Sequence, residues 1–225
     1  MNIDKTKTMV MGSADIESQL VVGTSVIENV REFVYLGSLL TWDNDCSKEI
    51  TRRIAKAIGA MAQFKNIWRS KQISIQTKLH IVRTCVFSTL MYACETWTLR
   101  KRDKNRLLAA EMKCYRHILK IRWQQKITND EVRSRVGSTR NIIQLIMERK
   151  LNLFGHICRM DDQRLVKNVM FGMVDGTSLR GRPSREWLDD VKDWCNIDIH
   201  TLSRMAQDRL LWKHVVKNAL NTNGR

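Results

Sequence analysis

Along the first 40 residues the apolar positions come in short β-branched and aromatic runs, Thr6–Met11, Leu20–Val22 and Phe33–Gly37, divided by glycine-containing stretches. Runs of this chemistry favour extended chain, so a small antiparallel meander of two or three strands is expected. Past Asp43, Asn44 and Asp45 the period lengthens. Ile50, Ile54, Ala57, Met61, Phe64 and Trp68 recur at steps of four and three, which places them on one helical face. Ser47 is the expected N-cap, with Glu49 in the electropositive first turn.

A second stripe of Ile75, Leu79, Val82, Val86 and Leu90 predicts a helix over 75–93, and a third through Leu107, Leu108, Met112, Tyr115, Ile118 and Leu119 predicts one over 103–121. These three should pack as a bundle. Thr128 to Glu131 has capping-box spacing, in which hydroxyl and carboxylate satisfy each other's backbone donors, and Gly137 can close the short helix it opens. Asn141 then leads a longer helix through Ile146, Phe154 and Ile157, and Asp162 is placed to cap another around Leu165 and Val169. The stretch from Asp175 to Pro183 gathers Gly, Ser, Thr and Pro and should be an exposed loop. After it, Trp187, Leu188, Val191 and Trp194, then Leu202, Met205, Ala206, Leu210, Trp212 and Val216, predict a terminal helical pair.

Composition sharpens this into a mostly α fold. A single proline, Pro183, and ten glycines are too few for a turn-rich sandwich. A hydrophobic content of 43% is enough to bury a core and excludes wholesale disorder. Charge changes the picture more. The 39 Lys+Arg against 23 Asp+Glu leave a formal charge of +16 and a pI near 9.9, a field that draws phosphate-rich polymers first and anionic membrane surfaces second. Charges interrupt every apolar stretch before the roughly 20 residues that a spanning helix needs. The six cysteines stand singly in helical patterns and read as reduced, intracellular thiols in nucleus or cytoplasm.

Asn2-Ile3-Asp4-Lys5-Thr6-Lys7-Thr8-Met9 resembles the Asn-x-x-Lys-Thr-Lys-x-Met segment that follows the catalytic aspartates of LINE-type (non-LTR retrotransposon) endonuclease–reverse transcriptases, and Phe33 to Ser38 looks like their Phe-x-Tyr-Leu-Gly hairpin. The likeness continues through Tyr92 to Trp97, Gly155 to Met160, Gly181-Arg182-Pro183 with Trp187 to Asp190, and Ala206 to Arg209 with Trp212. Together these are similar to the RTE-like clade with its BovB-type elements. The resemblance implies that residues 1–45 are the end of a polymerase palm with a primer-grip hairpin, 46–125 a thumb-like bundle, 126–175 a helical carboxy-terminal region, and 176–225 a loop plus terminal helical pair. It also implies that the endonuclease, fingers and metal-holding aspartates lie outside this chain. Mg2+ would serve only a longer relative, no cofactor is expected here, and polymerisation by the chain alone is not expected.

Carried over residue by residue, Lys5 matches the lysine proposed to assist the departing pyrophosphate, and Lys7 competes for that role because strand alternation turns both to one face. The plainer alternative is that both are edge-strand lysines that discourage pairing. Tyr35 and Gly37 match the primer grip, against a plain hairpin whose aromatics are core. Nine cations and one acid, Glu49, lie between Lys48 and Arg83; Arg52, Arg53, Lys56, Lys78 and Arg83 are the phosphate-contact candidates there. A second basic cluster contributes Arg100, Lys101, Arg102, Arg116 and Arg122, and a solvated face is the alternative for any one of them. Arg180 and Arg182 flank a Gly in a segment that resembles a minor-groove arginine hook, or simply form a loop. Cys114, His117, His156 and Cys158 are zinc-capable, but their spacing fits core cysteines beside surface histidines better, and no metal is expected. Of the seven tryptophans, Trp123, in a basic context, is the one placed to stack on unpaired bases. The expected partner is RNA or an RNA–DNA duplex held through phosphates. A missing polymerase half is the other expected association, and a helical adaptor binding protein through Trp187 to Val216 is the alternative reading. No membrane partner is expected.

Overall fold

The computed structural model describes residues 5–11, 20–138, 140–172 and 185–222. Arg180, Arg182 and the predicted loop before residue 185 lie outside the described residues. Among the described residues the chain opens with five short strands: β1 (Lys7–Thr8), β2 (Leu20–Val22), β3 (Ser25–Asn29), β4 (Glu32–Tyr35) and β5 (Ser38–Thr41). They form two sheets rather than one meander. β3 lies between β1 and β2, parallel to β1 with Lys7 opposite Glu28, and antiparallel to β2 with Leu20 opposite Ile27. The turn at Gly23, with φ of 66°, sends β3 back alongside β2 and so supplies the strand that apolar patterning missed. β4 and β5 make a separate hairpin with Tyr35 opposite Ser38. Its two-residue turn, Leu36 and Gly37, has positive φ at both positions (46° and 81°), as a type I′ turn requires.

The rest is helical, as the period change predicts: α1 (Ser47–Gln63), α2 (Lys65–Arg69), α3 (Ile75–Ile81), α4 (Phe87–Leu90), α5 (Lys101–Ile118), α6 (Asn129–Val136), α7 (Ile142–Cys158), α8 (Leu165–Phe171), α9 (Trp187–Cys195), α10 (Ile199–Met205) and α11 (Arg209–Thr222). A π-helical turn, Val82–Val86, joins α3 to α4, so the second stripe runs through one bent rod. Its Leu79, Val82, Val86 and Leu90 are buried, whereas Ile75 is exposed. Most of the buried apolar side chains form one cluster that runs from Ile50 to Leu220. No helix among the described residues is long and apolar enough to cross a membrane.

Several helix starts differ from expectation for local reasons. Ser47 does not cap α1: its backbone N–H is taken by the Asp45 carboxylate at 2.9 Å, and its hydroxyl donates to Asp103 across the bundle. Thr128 caps α6, but Glu131 bonds forward to Arg135 at 2.8 Å and leaves the box half made. Complete boxes are made at Asn141 and Gln144, at the head of α7, and at Glu186 and Asp189, at the head of α9. Asp162 pairs with Lys167 instead of capping α8, and Leu165 and Val169 face solvent. The predicted terminal pair is three helices, because Asn196 turns left-handed (φ 53°) to end α9 and Asp198 then caps α10. Leu210, expected inside, is exposed.

A buried polar strut ties the first bundle to the carboxy-terminal helices. Lys150 on α7 donates to Asp190 on α9 at 2.7 Å and to the Trp97 carbonyl at 2.8 Å, with both charged side chains fully buried. Asp190 also accepts the Leu99 N–H and the Arg185 guanidinium, so its lone pairs are filled. The Trp187 indole donates to the Glu95 carbonyl at 2.7 Å and lies 4.5 Å from the Lys150 ammonium. Farther along, Gln207 and Arg159 exchange side-chain bonds with the carbonyls of Cys158 and Ala206, while Trp212 donates to the Leu151 carbonyl over Gly155. The sequence motifs around Trp97, Gly155, Trp187 and Trp212 are thus partners in packing.

Candidate nucleic-acid interface

The hairpin turn is held from below by α1. Glu49, almost wholly buried, accepts the Leu39 N–H at 3.0 Å, Arg52 at 2.9 Å and Arg53 at 2.6 Å. Both guanidiniums continue to the Gly37 carbonyl. Tyr92 completes the clamp: its hydroxyl donates to the Leu36 carbonyl at 2.7 Å, and its ring stacks 4.3 Å from the Arg53 guanidinium. Glycine is needed at position 37 for the positive φ, and a Cβ there would already rest on the Tyr92 ring. Tyr35, at the tip, is 57% exposed and presents its ring outward.

This geometry sorts the expected phosphate contacts. Arg53 and Lys78 are each only 5% exposed. Arg53 serves the clamp, and Lys78 donates to the Ser70 carbonyl at 2.6 Å, so both cations are turned inward and act as struts. Arg52 is half-neutralised by Glu49, and Arg100 pairs with Asp45 at 2.8 Å. Lys7 pairs with Glu28 across the β1–β3 ladder, and Lys5 lies just before β1. Lys56, Arg83, Lys101, Arg102 and Arg122 are exposed. Arg116 reaches the Ile127 carbonyl at 3.0 Å, an uncharged partner that leaves its charge uncancelled.

What the structure adds is a groove along α5. Lys113, Arg116 and His117 share one face of α5 by their spacing, opposite the buried Leu107, Tyr115 and Ile118, and Lys120 follows two residues past the helix in a left-handed turn (φ 55°). One compartment, of about 770 Å3, runs from Asn105 and Leu108 to Trp123 and Asn129. The second, of about 420 Å3, is walled by α1 and α2 through Ile58, Met61, Lys65, Trp68 and Arg69. Lys113 and His117 line both, so the two compartments adjoin. No carboxylate lines either one. Five permanent cations therefore border the two compartments, whose apolar linings are Leu108, Met112 and Ile121 on one flank of α5 and Ile58, Met61 and Cys114 on the other. Burial pushes the Cys114 thiol up to about 11, so it lines the second compartment as a neutral group. The Trp68 indole is pinned there by its bond to the Met61 carbonyl at 2.7 Å.

Charge density along the sequence includes these cations, but it does not distinguish Lys65, Arg69, Lys113 and Lys120 from their neighbours. The available signal was the 113–116–117 spacing, out of phase with the apolar stripe of the same helix. Trp123 is 83% exposed at the groove's end, whereas Trp68, Trp97, Trp194 and Trp212 are buried. Cys114 and Cys158 are buried and His117 and His156 exposed; among the described residues no three His, Cys, Asp or Glu side chains converge on a metal position.

Comparison with known proteins bears on this region. A family model described as a domain of unknown function (DUF6451) matches residues 60–92, the stretch that supplies the α2 wall and the Tyr92 clamp. An uncharacterized transposon-derived protein of Caenorhabditis elegans is 26% identical over 234 aligned residues, covering 96% of this chain and 82% of that protein. No solved structure matches.

Proposed function

We propose that this chain is a transposon-derived, reverse-transcriptase-like polypeptide, of the LINE type, whose role is to hold nucleic acid through its sugar–phosphate backbone. The observation that carries the reading is the acid-free cationic groove along α5, flanked by Lys65, Arg69, Lys113, Arg116 and Lys120. Phosphates attract such a groove without regard to sequence, and released counterions make the binding steeply salt-dependent. The exposed Lys56, Arg83, Lys101, Arg102 and Arg122 add to the positive charge, and the clamped hairpin holds Tyr35 exposed. The likeness to a transposon-derived protein over nearly the whole chain supports the origin. Polymerisation is assigned to carboxylates that a longer product or a partner would supply. The helical adaptor is the weaker reading, since Val191, Trp194, Leu202, Trp212 and Val216, the apolar surface it would use, are buried in the chain's own core.

The test is titration of a labelled single-stranded RNA and of an RNA–DNA duplex at several salt concentrations. Log affinity should fall linearly with log salt, and Lys113→Glu with Lys120→Glu should lessen the slope by roughly one unit per lost phosphate contact on every sequence tried. Absent or salt-independent binding by the unaltered chain would refute the proposal.

A further inference from the structure

Resting on that reading, we infer that the α5 groove takes an unpaired stretch of the strand, bases inward, rather than the duplex itself. The cationic rim alone would suit either form. The exposed indole discriminates between them. A duplex turns its phosphates and sugars outward and keeps its bases stacked on one another, so Trp123, beside the half-buried Leu108 and Ile121 in the same compartment, would face charge with nothing apolar to bury. An unpaired base offers a flat π face that an apolar wall and an indole can cover while its phosphate stays at the rim. Each compartment has the volume of a small-molecule site, and both are open slots of this kind.

Trp123 supplies the stacking platform. Its indole is 83% exposed and forms part of the groove wall. The short 3-10 turn Trp123–Gln125 is fixed at its start by the Gln125 side chain, which accepts the Arg122 N–H at 2.9 Å, and at its end by the left-handed Lys126 (φ 50°). Arg116 braces the same turn's exit through the Ile127 carbonyl. A large apolar side chain held out to solvent by this much local structure is poorly explained by folding alone. An anionic lipid surface would also meet cations beside an indole, but the Trp123 compartment is a slot between α5 and the segment 121–129 and therefore suits a threaded chain better than a flat sheet.

The experiment compares a labelled oligouridine with a blunt RNA duplex of equal length at low salt, using the full chain, Trp123→Ala and Trp123→Phe. Because the indole is solvent-exposed, neither substitution should disturb the fold. Trp123→Ala should weaken oligouridine binding by about tenfold, Trp123→Phe should restore most of it, and duplex binding should change by less than about twofold. Oligouridine binding that persists unaltered in Trp123→Ala would overturn this inference and leave the backbone-binding proposal standing. Failure of the unaltered chain to bind either nucleic acid would overturn both. Tryptophan emission that responds to anionic phospholipid vesicles and not to oligouridine would overturn it in favour of a membrane ligand.

Discussion

Lys150 and Asp190 meet at 2.7 Å with neither side chain exposed to solvent, and the pair joins α7 to α9 while the same ammonium reaches back to the Trp97 carbonyl. Burial works against the lysine's charge and pulls its pKa down to about 8. Removing one member leaves the other ion stranded without water. Lys150→Ala should therefore lower unfolding free energy by about 3–5 kcal/mol, read by urea denaturation. Lys150→Met, which fills the space and leaves Asp190 with Arg185 and the Leu99 N–H, should lower it by clearly less.

Glu111 gives a pH signature of the opposite kind. It is 1% exposed, its nearest cation is Arg133 at 3.7 Å, and burial pushes its pKa up from 4.5 to about 7. Below pH 4.5 the carboxyl is neutral in both folded and unfolded chains. As pH rises from there to 7 the unfolded chain ionises first, so stability falls, and above 7 the loss is complete at about 3 kcal/mol. Glu111→Gln should flatten this slope and unfold at higher urea than the unaltered chain at pH 8. A denaturation midpoint that shows no such difference between pH 5 and 8 would contradict the assignment.

Gly155 lies under the Trp212 indole so closely that any added methyl group would overlap it. Gly155→Ala should force α7 and α11 apart, costing about 1–3 kcal/mol by overpacking, despite alanine's better helix propensity. Thermal unfolding and the near-ultraviolet tryptophan signal would report it together.

Arg53 and Lys113 belong to the same basic bundle and should behave oppositely. Arg53→Ala breaks a buried pair and the hairpin clamp, so stability should fall by about 3 kcal/mol or more. Lys113→Ala, on an exposed face, should leave stability within about 0.5 kcal/mol and weaken nucleic-acid binding. Parallel urea and binding titrations separate the two effects.

The helical core was legible because Ile50, Ala57 and Met61, or Leu79, Val82 and Val86, announce one face by spacing alone. The cations were not. Whether a lysine is a strut or a contact depends on acceptors distant in sequence: Arg53 finds a carbonyl at Gly37, and Lys150 finds Asp190 forty residues on. Density of charge located the basic region but could not show that Lys113 and Lys120 share a groove with Lys65 and Arg69, since that follows from how α2 packs against α5. The strand β3 was hidden because Val26 and Ile27 sit among polar residues and pair through backbone, which carries no side-chain signal.

The Gly37 carbonyl, gripped by two neighbouring guanidiniums of α1, makes the hairpin and that helix a single unit. The turn cannot shift without giving up those bonds, so where the ring of Tyr35 sits is dictated by the first half of α1 and not by the strands that carry it.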